Sequence, residues 1–401
     1  MNRSANLDTA SLTPTPQTWF TDSDSKLRVA IVTESFLPQV NGVTNSVLRT
    51  LEFLRAGGHE VAVFAPGPGE SSVNGVPVIR MGSFGFPGYV DLRIAVPRRA
   101  LESEIRNFQP DVIHVAAPAV LGAWALHIAR KLEIPSVAIY QTDLAGFARQ
   151  YRLGATSPAL WRYIAAIHNR ADITLAPSSA AVWDLRSHGV ENVVRWMRGV
   201  DTKRFNPEHR NAELRHRFCS RGNKIIGFVG RLAREKQVDR LVEVAALPGV
   251  SLVIVGDGPC KDKLEKMMPS ALFTGFSSGL ELSQMYASFD VFVHTGVDET
   301  FCQAIQEALA SGVPVVAPSS GGPLDLVQHG SNGFLWNPAK RHTLVESVNE
   351  LVTNGESLNF CASNARSSVE HRTWDSVMTE LVGHYRAVSN GISLAYSGAS
   401  K

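Results

Sequence analysis

The sequence predicts an α/β protein of two Rossmann-like, doubly wound domains facing a common inter-domain cleft. Three observations predict it. The chain has 401 residues, too many for one ordinary hydrophobic core and suited to two α/β domains. Continuous apolar runs of strand length alternate with helical stretches, the pattern of buried parallel sheets. The alternation then starts afresh after RGVDTKRFNPEHR (198–210), whose glycine, proline and mixed charge read as a linker.

The elements follow in order. Residues 1–26 are rich in Ser, Thr, Asn and Asp and lack an apolar stretch, so they read as a disordered tail and not a signal peptide. LRVAIVT (27–33) is the first strand, followed by a loop, a helix over 46–56 ended by Gly57-Gly58, and the strand HEVAVFAP. This strand–loop–helix–strand unit is a βαβ. VPVIR, DVIHVAA, SVAIYQT and ITLAPS supply further strands, with helices near 97–107, 121–131, 158–170 and 179–188. The first domain therefore spans 27–207. In the second, 208–375, KIIGFVGRL, VSLVIVGDG, ALFTGF, DVFVHTG and VPVVAP are strands, and VDRLVEVAAL, KDKLEKMM and LSQMYASF are helices. Residues 376–401 are a closing helix with a tail.

Composition narrows the function. Hydrophobic residues at 44% and charged residues at 19% describe a soluble globular chain, and a net charge of +2 argues against a nucleic-acid binder. Residues 27–207 hold 19 Lys and Arg against 14 Asp and Glu, so the first half is mildly basic. That balance suits anionic substrates or an anionic membrane surface, and equally a scatter of solvated arginines. The four cysteines form no CxxC pair and no metal spacing, and read as reduced thiols of a cytosolic protein. No apolar run reaches membrane-spanning length, so any membrane contact is expected to be peripheral.

The chemistry concentrates in DETFCQAIQEALASGVP (298–314). Glu299 stands ahead of a predicted helix and Glu307 lies within it, roughly 12 Å apart along the axis at helical rise. Carboxylates at that spacing suit the hydroxyls at the two ends of a nucleotide-sugar. The helix N-terminus between them is expected to turn the N–H groups of Thr300, Phe301 and Cys302 toward a diphosphate. In GRLAREK (230–236), Arg231 and Lys236 follow the second domain's first strand. Arg binds phosphate bidentately and Lys acts as a point charge. In PQVNGVTNSV (38–47), Gly42 permits close backbone approach, and Thr44 or Asn45 is expected to cap the helix. No G-x-G-x-x-G occurs there, which counts against a dinucleotide dehydrogenase. Asp143, in QTDLAGFARQY (141–151), is the acidic candidate on the first domain's side of the cleft, and His114 reads as a core or strand-end histidine. The one D-x-D, Asp22-Ser23-Asp24, falls in the tail and is not taken as a metal site. Asp325 sits in the first turn after a Gly-rich turn, where an acid commonly serves the helix dipole.

Taken together, PQVNGVTNSV, QTDLAGFARQY, GRLAREK, VGDGP, ETFCQAIQEALASGVPVV and SGGPLDLVQHGSNGFL resemble family 4 of the glycosyltransferases, retaining enzymes of the GT-B fold, in order from 27 to about 387. Within it the chain is similar to actinobacterial GDP-mannose-dependent mannosyltransferases. The resemblance implies a donor site using Arg231, Lys236, Glu299 and Glu307, with Gly42 near the diphosphate and the first domain on the acceptor side. It also implies a GDP-mannose donor, no metal or other cofactor, and a membrane glycolipid acceptor of phosphatidylinositol-mannoside or glucuronosyl-diacylglycerol type. A cytoplasmic enzyme peripheral on the inner leaflet of the plasma membrane is the corresponding location. Ala116, Gln141, Gln237 and Asp325 depart from residues common in the family. Other readings are a sugar-nucleotide epimerase, a UDP-sugar glucosyl- or sulfoquinovosyl-transferase with its base beside FSSGLELSQM (276–285), and a non-catalytic nucleotide-sugar binder. A peripheral scaffold using Arg98, Arg99, Arg106, Arg149, Arg152, Arg162 and Trp161 is a further one.

Overall fold

The apolar run at the start of the first domain forms a strand, β1 (Arg28–Val32), buried on both faces as a central parallel strand must be. A computed structural model describes residues 25–39, 41–86, 89–95, 99–141, 157–219 and 222–392. In chain order the first domain's strands continue with β2 (Glu60–Pro66), β3 (Ser72–Val73), β4 (Val76–Met81), β5 (Ser83–Phe86), β6 (Tyr89–Ala95), β7 (Val112–Val115), β8 (Ser136–Ile139), β9 (Ile173–Ala176) and β10 (Val193–Arg195). The main sheet runs β10-β9-β8-β7-β1-β2-β4-β3, parallel except at the β3 edge. β5 and β6 form a separate antiparallel hairpin whose strands alternate apolar and polar residues in place of a continuous apolar run.

The second domain holds β11 (Lys224–Val229), β12 (Val250–Val255), β13 (Leu272–Gly275), β14 (Val291–Val293), β15 (Val315–Pro318) and β16 (Gly333–Trp336). They form a parallel sheet in the order β13-β12-β11-β14-β15-β16. In each sheet the first strand lies between neighbours that run off in opposite directions, β1 between β2 and β7, β11 between β12 and β14. These are topological switch points, where open α/β sheets bind ligands beyond their carboxyl ends. The loop leaving β1 leads into a helix that begins at Gly42, and the segment leaving β11 carries Arg231 and Lys236.

Three local expectations differ. The first helix is Gly42–Ala56, four residues longer than predicted, because Asn41 is its cap and takes the N–H groups of Val43 and Thr44 at 3.0 Å each. The stretch VDRLVEVAAL is a 3-10 turn, Val238–Leu241, followed by the single α-turn Val242–Ala245. The third concerns the helix beyond Glu299, taken up with the site.

The domains are joined twice. The chain crosses at 196–200 and returns at 372–374, and the crossings touch: Val200 N–H donates to Arg372 O at 2.9 Å. A Cβ on Gly199 would lie 2.7 Å from Trp374 Cα, so only glycine allows this approach. The final helix, Trp374–Ser389, then packs on the first domain, where Val377, Met378, Leu381 and Tyr385 share one apolar cluster with Val29 and Ile31.

Candidate functional site

The site is built at the end of β11, β14 and the loop beyond β14. Lys236 closes a short 3-10 turn, Arg234–Lys236, and its backbone is fixed by the Thr295 hydroxyl, which donates to Lys236 O at 2.6 Å. Its Nζ lies 2.5 Å from Glu299 Oε1. On the same oxygen, at 3.2 Å, sits Nε2 of His294, a residue the sequence reading passed over. The His294 ring is buried and stacked on Phe228, and its carbonyl accepts from Trp336 Nε1.

The electrostatics are those of a desolvated carboxylate flanked by two cations. Burial alone would raise the Glu299 carboxyl, but His294 and Lys236 outweigh it and hold the group at about 2. His294 is likewise pushed down by burial and, on balance, up to about 9 by Cys302 and the Glu299 carboxylate. Lys236 is pushed down by burial and raised on balance, chiefly by Glu299. Glu299 is thus held as an acceptor for hydroxyl donors.

The predicted helix start is corrected. The helix is Gln303–Ala310, not one beginning at Thr300, and Cys302 ahead of it has φ 81°, outside helical geometry. The N–H groups of Thr300, Phe301 and Cys302 therefore belong to a loop, and Gln303 and Ala304 present the first-turn amides. The cause is long-range. Gly322 N–H donates to Glu299 O at 2.7 Å, and a Cβ on Gly321, at φ 64°, would fall 2.5 Å from that oxygen. The glycine turn after β15 thus presses the 299–301 backbone into its own path, and a side chain at either glycine would expel it.

Glu307 is inside the helix as predicted. Burial pushes its carboxyl up to about 7, tempered by the neighbouring Tyr286 hydroxyl and Arg204. Arg231, two residues past β11, is exposed, and no described residue pairs with its guanidinium. Asp143 lies outside the described residues, as do Asp22, Asp24, Arg98, Arg149 and Arg152. His114 is a core histidine: burial lowers it to about 3, and Nδ1 lies 2.7 Å from Tyr385 Oη. Trp161 is corrected as a surface residue, since it is buried and stacked on His188 at 3.9 Å between ring centroids. Arg106 is engaged by Glu102.

The first domain meets this loop. Asp325 accepts from Ser179 N–H at 2.5 Å and pairs with Arg195 at 3.3 Å, so its partners are across the cleft and not its own helix dipole. Between the domains opens a cavity of about 390 Å³, lined by Ser178 and Trp183 on one side and Asp298, Glu299, Thr300 and Ser320 on the other. On the first domain's side, Gln141 Nε2 donates to Ala116 O at 2.8 Å. The arrangement offers cations for a diphosphate, carboxylates for hydroxyls and a cavity walled by both domains.

Comparison with known proteins agrees with this architecture. The model of the Glycosyltransferase Family 4 domain matches residues 40–204, and that of glycosyl transferases group 1 matches 212–368. The chain is 50% identical to a GDP-mannose-dependent alpha-mannosyltransferase of Mycobacterium tuberculosis, over 90% of this chain and 97% of that one. It is 37% identical to the sulfoquinovosyl transferase SQD2 of Arabidopsis thaliana, over 88% of this chain and 72% of that one. Its fold is similar to the crystal structure of HepE from Anabaena in complex with UDP, with TM-score 0.74 at 21% identity, covering 90% of this chain and 100% of that one. On these grounds the chain belongs to glycosyltransferase family 4 and is a glycosyltransferase of the GT-B fold.

Proposed function

We propose that the chain transfers a mannosyl residue from GDP-mannose, with retention of anomeric configuration, to a membrane glycolipid. The observation that carries the donor assignment is the 50% identity, along nearly the full length of both chains, to an enzyme named for that donor. The site chemistry is compatible with it. Arg231 and Lys236 neutralise the diphosphate, the Glu299 carboxylate accepts from sugar hydroxyls, and Glu307 accepts from the ribose. Gly42 lets the first domain's backbone approach the diphosphate as the domains close. The acceptor enters from the first domain, with Asp143 as its acidic neighbour.

In this reading the acceptor oxygen attacks the anomeric carbon on the face the diphosphate leaves. The carbon–oxygen bond to the diphosphate breaks with its electron pair on the phosphate oxygen, which then takes the acceptor proton. The negative charge built up there is met by Arg231 and Lys236, so a metal is not needed for that role. The acceptor lipid places the enzyme on the cytoplasmic face of the membrane as a peripheral protein. Among the described residues no helix is long and apolar enough to cross a membrane.

Radiolabelled GDP-mannose, UDP-glucose and UDP-sulfoquinovose incubated with the protein and a lipid extract, with and without chelator, test this. Label in lipid from GDP-mannose alone, unaffected by chelator and α-linked, is expected. The 37% identity to a sulfoquinovosyl transferase makes label from a UDP-sugar the specific contrary outcome.

A further inference from the structure

We propose that Arg198, in the crossing between the domains, is a third cation for the donor's diphosphate, reaching it from the floor of the cleft opposite Arg231 and Lys236. The inference rests on the nucleotide-sugar reading above.

Its placement is the first ground. The carbonyls of Arg198 and Gly199 accept from the side-chain amides of Gln306 and Gln303, each at 3.0 Å, which docks the crossing on the first turn of the Gln303–Ala310 helix. The Arg198 guanidinium runs the other way. Nη2 donates to Gly42 O at 3.3 Å, in the first turn of the Gly42–Ala56 helix, and to Gln141 Oε1 at 2.7 Å. One residue thus spans the space between two helix N-termini, one from each domain, and both ends carry partial positive charge. These groups present donors, and among the described residues no carboxylate pairs with the Arg198 guanidinium.

Its partial burial without a charged partner is the second. The guanidinium is desolvated enough to lower it to about 10, and no carboxylate opposes that shift. Both acceptors it has found are neutral. Arg215 and Arg372, also partly buried, each have a carboxylate partner, Asp290 and Glu380, whereas Arg80 and Arg240 have neutral acceptors as Arg198 does. A desolvated cation held by neutral acceptors is costly unless an anion completes it. Nε and Nη1 have no acceptor among the described residues.

The charge balance of the site is the third. Lys236 is already matched by Glu299. With part of the Lys236 charge offset by Glu299, Arg231 and Lys236 together bring less than two net positive charges to a diphosphate, which gains charge as it leaves. A second guanidinium, able to bind bidentately, makes up the difference.

The test separates phosphate from base. Calorimetric titrations of the full chain with GDP and with guanosine are made for the wild type, Arg198→Gln and Arg198→Lys. Glutamine keeps a donor for Gly42 O and removes the charge. The expected result is a GDP affinity lower by about tenfold or more in Arg198→Gln, with guanosine unchanged, and a smaller loss in Arg198→Lys, which keeps charge but not the fork. An unchanged ratio of GDP to guanosine affinity in Arg198→Gln overturns the inference, because a residue that only positions Gln141 moves both ligands together. If Arg198→Gln does not fold, Arg198→Lys decides by the same ratio. A wild type that binds no GDP defeats the donor reading itself, a different and separately visible result.

Discussion

Lys236 and Glu299, 63 positions apart, are bonded to each other, Nζ to Oε1 at 2.5 Å, with His294 on the same oxygen. Two residues each expected to hold the donor therefore hold one another before it arrives, and donor binding adds to a network already formed. The side chains are 26% and 16% exposed, so solvent screens the pair only in part.

Replacing Lys236 or Arg231 with alanine is expected to lower turnover roughly a hundred-fold or more, the scale of a lost charge contact in the transition state. The stability losses of Lys236→Ala and Glu299→Gln are expected to be less than additive, because they break one network. Steady-state kinetics and denaturant unfolding of both single variants and the double variant check this.

The pH dependence of stability follows from the same triad. Glu299 is held at about 2, below its ordinary 4.5, so its contribution is present above 4.5 and lost as pH falls through about 2. His294 is held at about 9, above its ordinary 6.5, so its contribution is present below 6.5 and lost as pH rises through about 9. Thermal unfolding of His294→Gln is expected to show a flatter decline between pH 6.5 and 9 than the wild type.

Glu307 behaves in the opposite sense to Glu299. Burial raises it from 4.5 to about 7, so the folded protein keeps a proton the unfolded chain has lost, and its contribution to stability declines as pH rises across that window. A ribose hydroxyl donating to it favours the ionised form. Nucleotide binding near pH 6 is therefore expected to release protons and to strengthen as pH rises through about 7. Calorimetry in buffers of different ionisation enthalpy reads the release, and Glu307→Gln is expected to abolish it.

Asp325 ties the glycine turn of the second domain to the first domain through Ser179 N–H and Arg195. With Arg195 more than a third exposed, the ion pair itself contributes little, and the Ser179 bond carries most of the effect. Asp325→Ala is expected to cost about 1 kcal/mol locally, read as a roughly fivefold loss of hydrogen-exchange protection at the Ser179 amide. Unchanged protection there would show that this bond does not hold the domains.

The repeated strand and helix pattern was legible because buried parallel strands are uninterrupted apolar runs, as in RVAIV and VSLVIV. Glu299, Glu307, Arg231 and Lys236 were legible because each sits within a few residues of an element end. What local pattern could not show was set across the chain. The helix start moved to Gln303 because Gly321 and Gly322, some twenty residues on, shape the preceding backbone. His294 looked like one polar residue at the end of β14 until Glu299 was seen against it. Asp325 looked like a dipole partner until Arg195, 130 positions away, appeared beside it. The β5–β6 hairpin lacks the uninterrupted apolar run of the sheet strands: Phe84 and Phe86 alternate with Ser83 and Gly85, and Val90, Leu92 and Ile94 with Asp91 and Arg93, the pattern of antiparallel strands.

The central claim is that this cleft holds GDP-mannose through Arg231, Lys236 and the two glutamates. Calorimetric titration of the purified chain with GDP-mannose and UDP-glucose, repeated on Arg231→Ala, tests it most directly. Binding of GDP-mannose at least tenfold tighter than UDP-glucose, weakened by Arg231→Ala, is the predicted result. Tighter binding of UDP-glucose, or GDP-mannose binding that Arg231→Ala leaves unchanged, would contradict it.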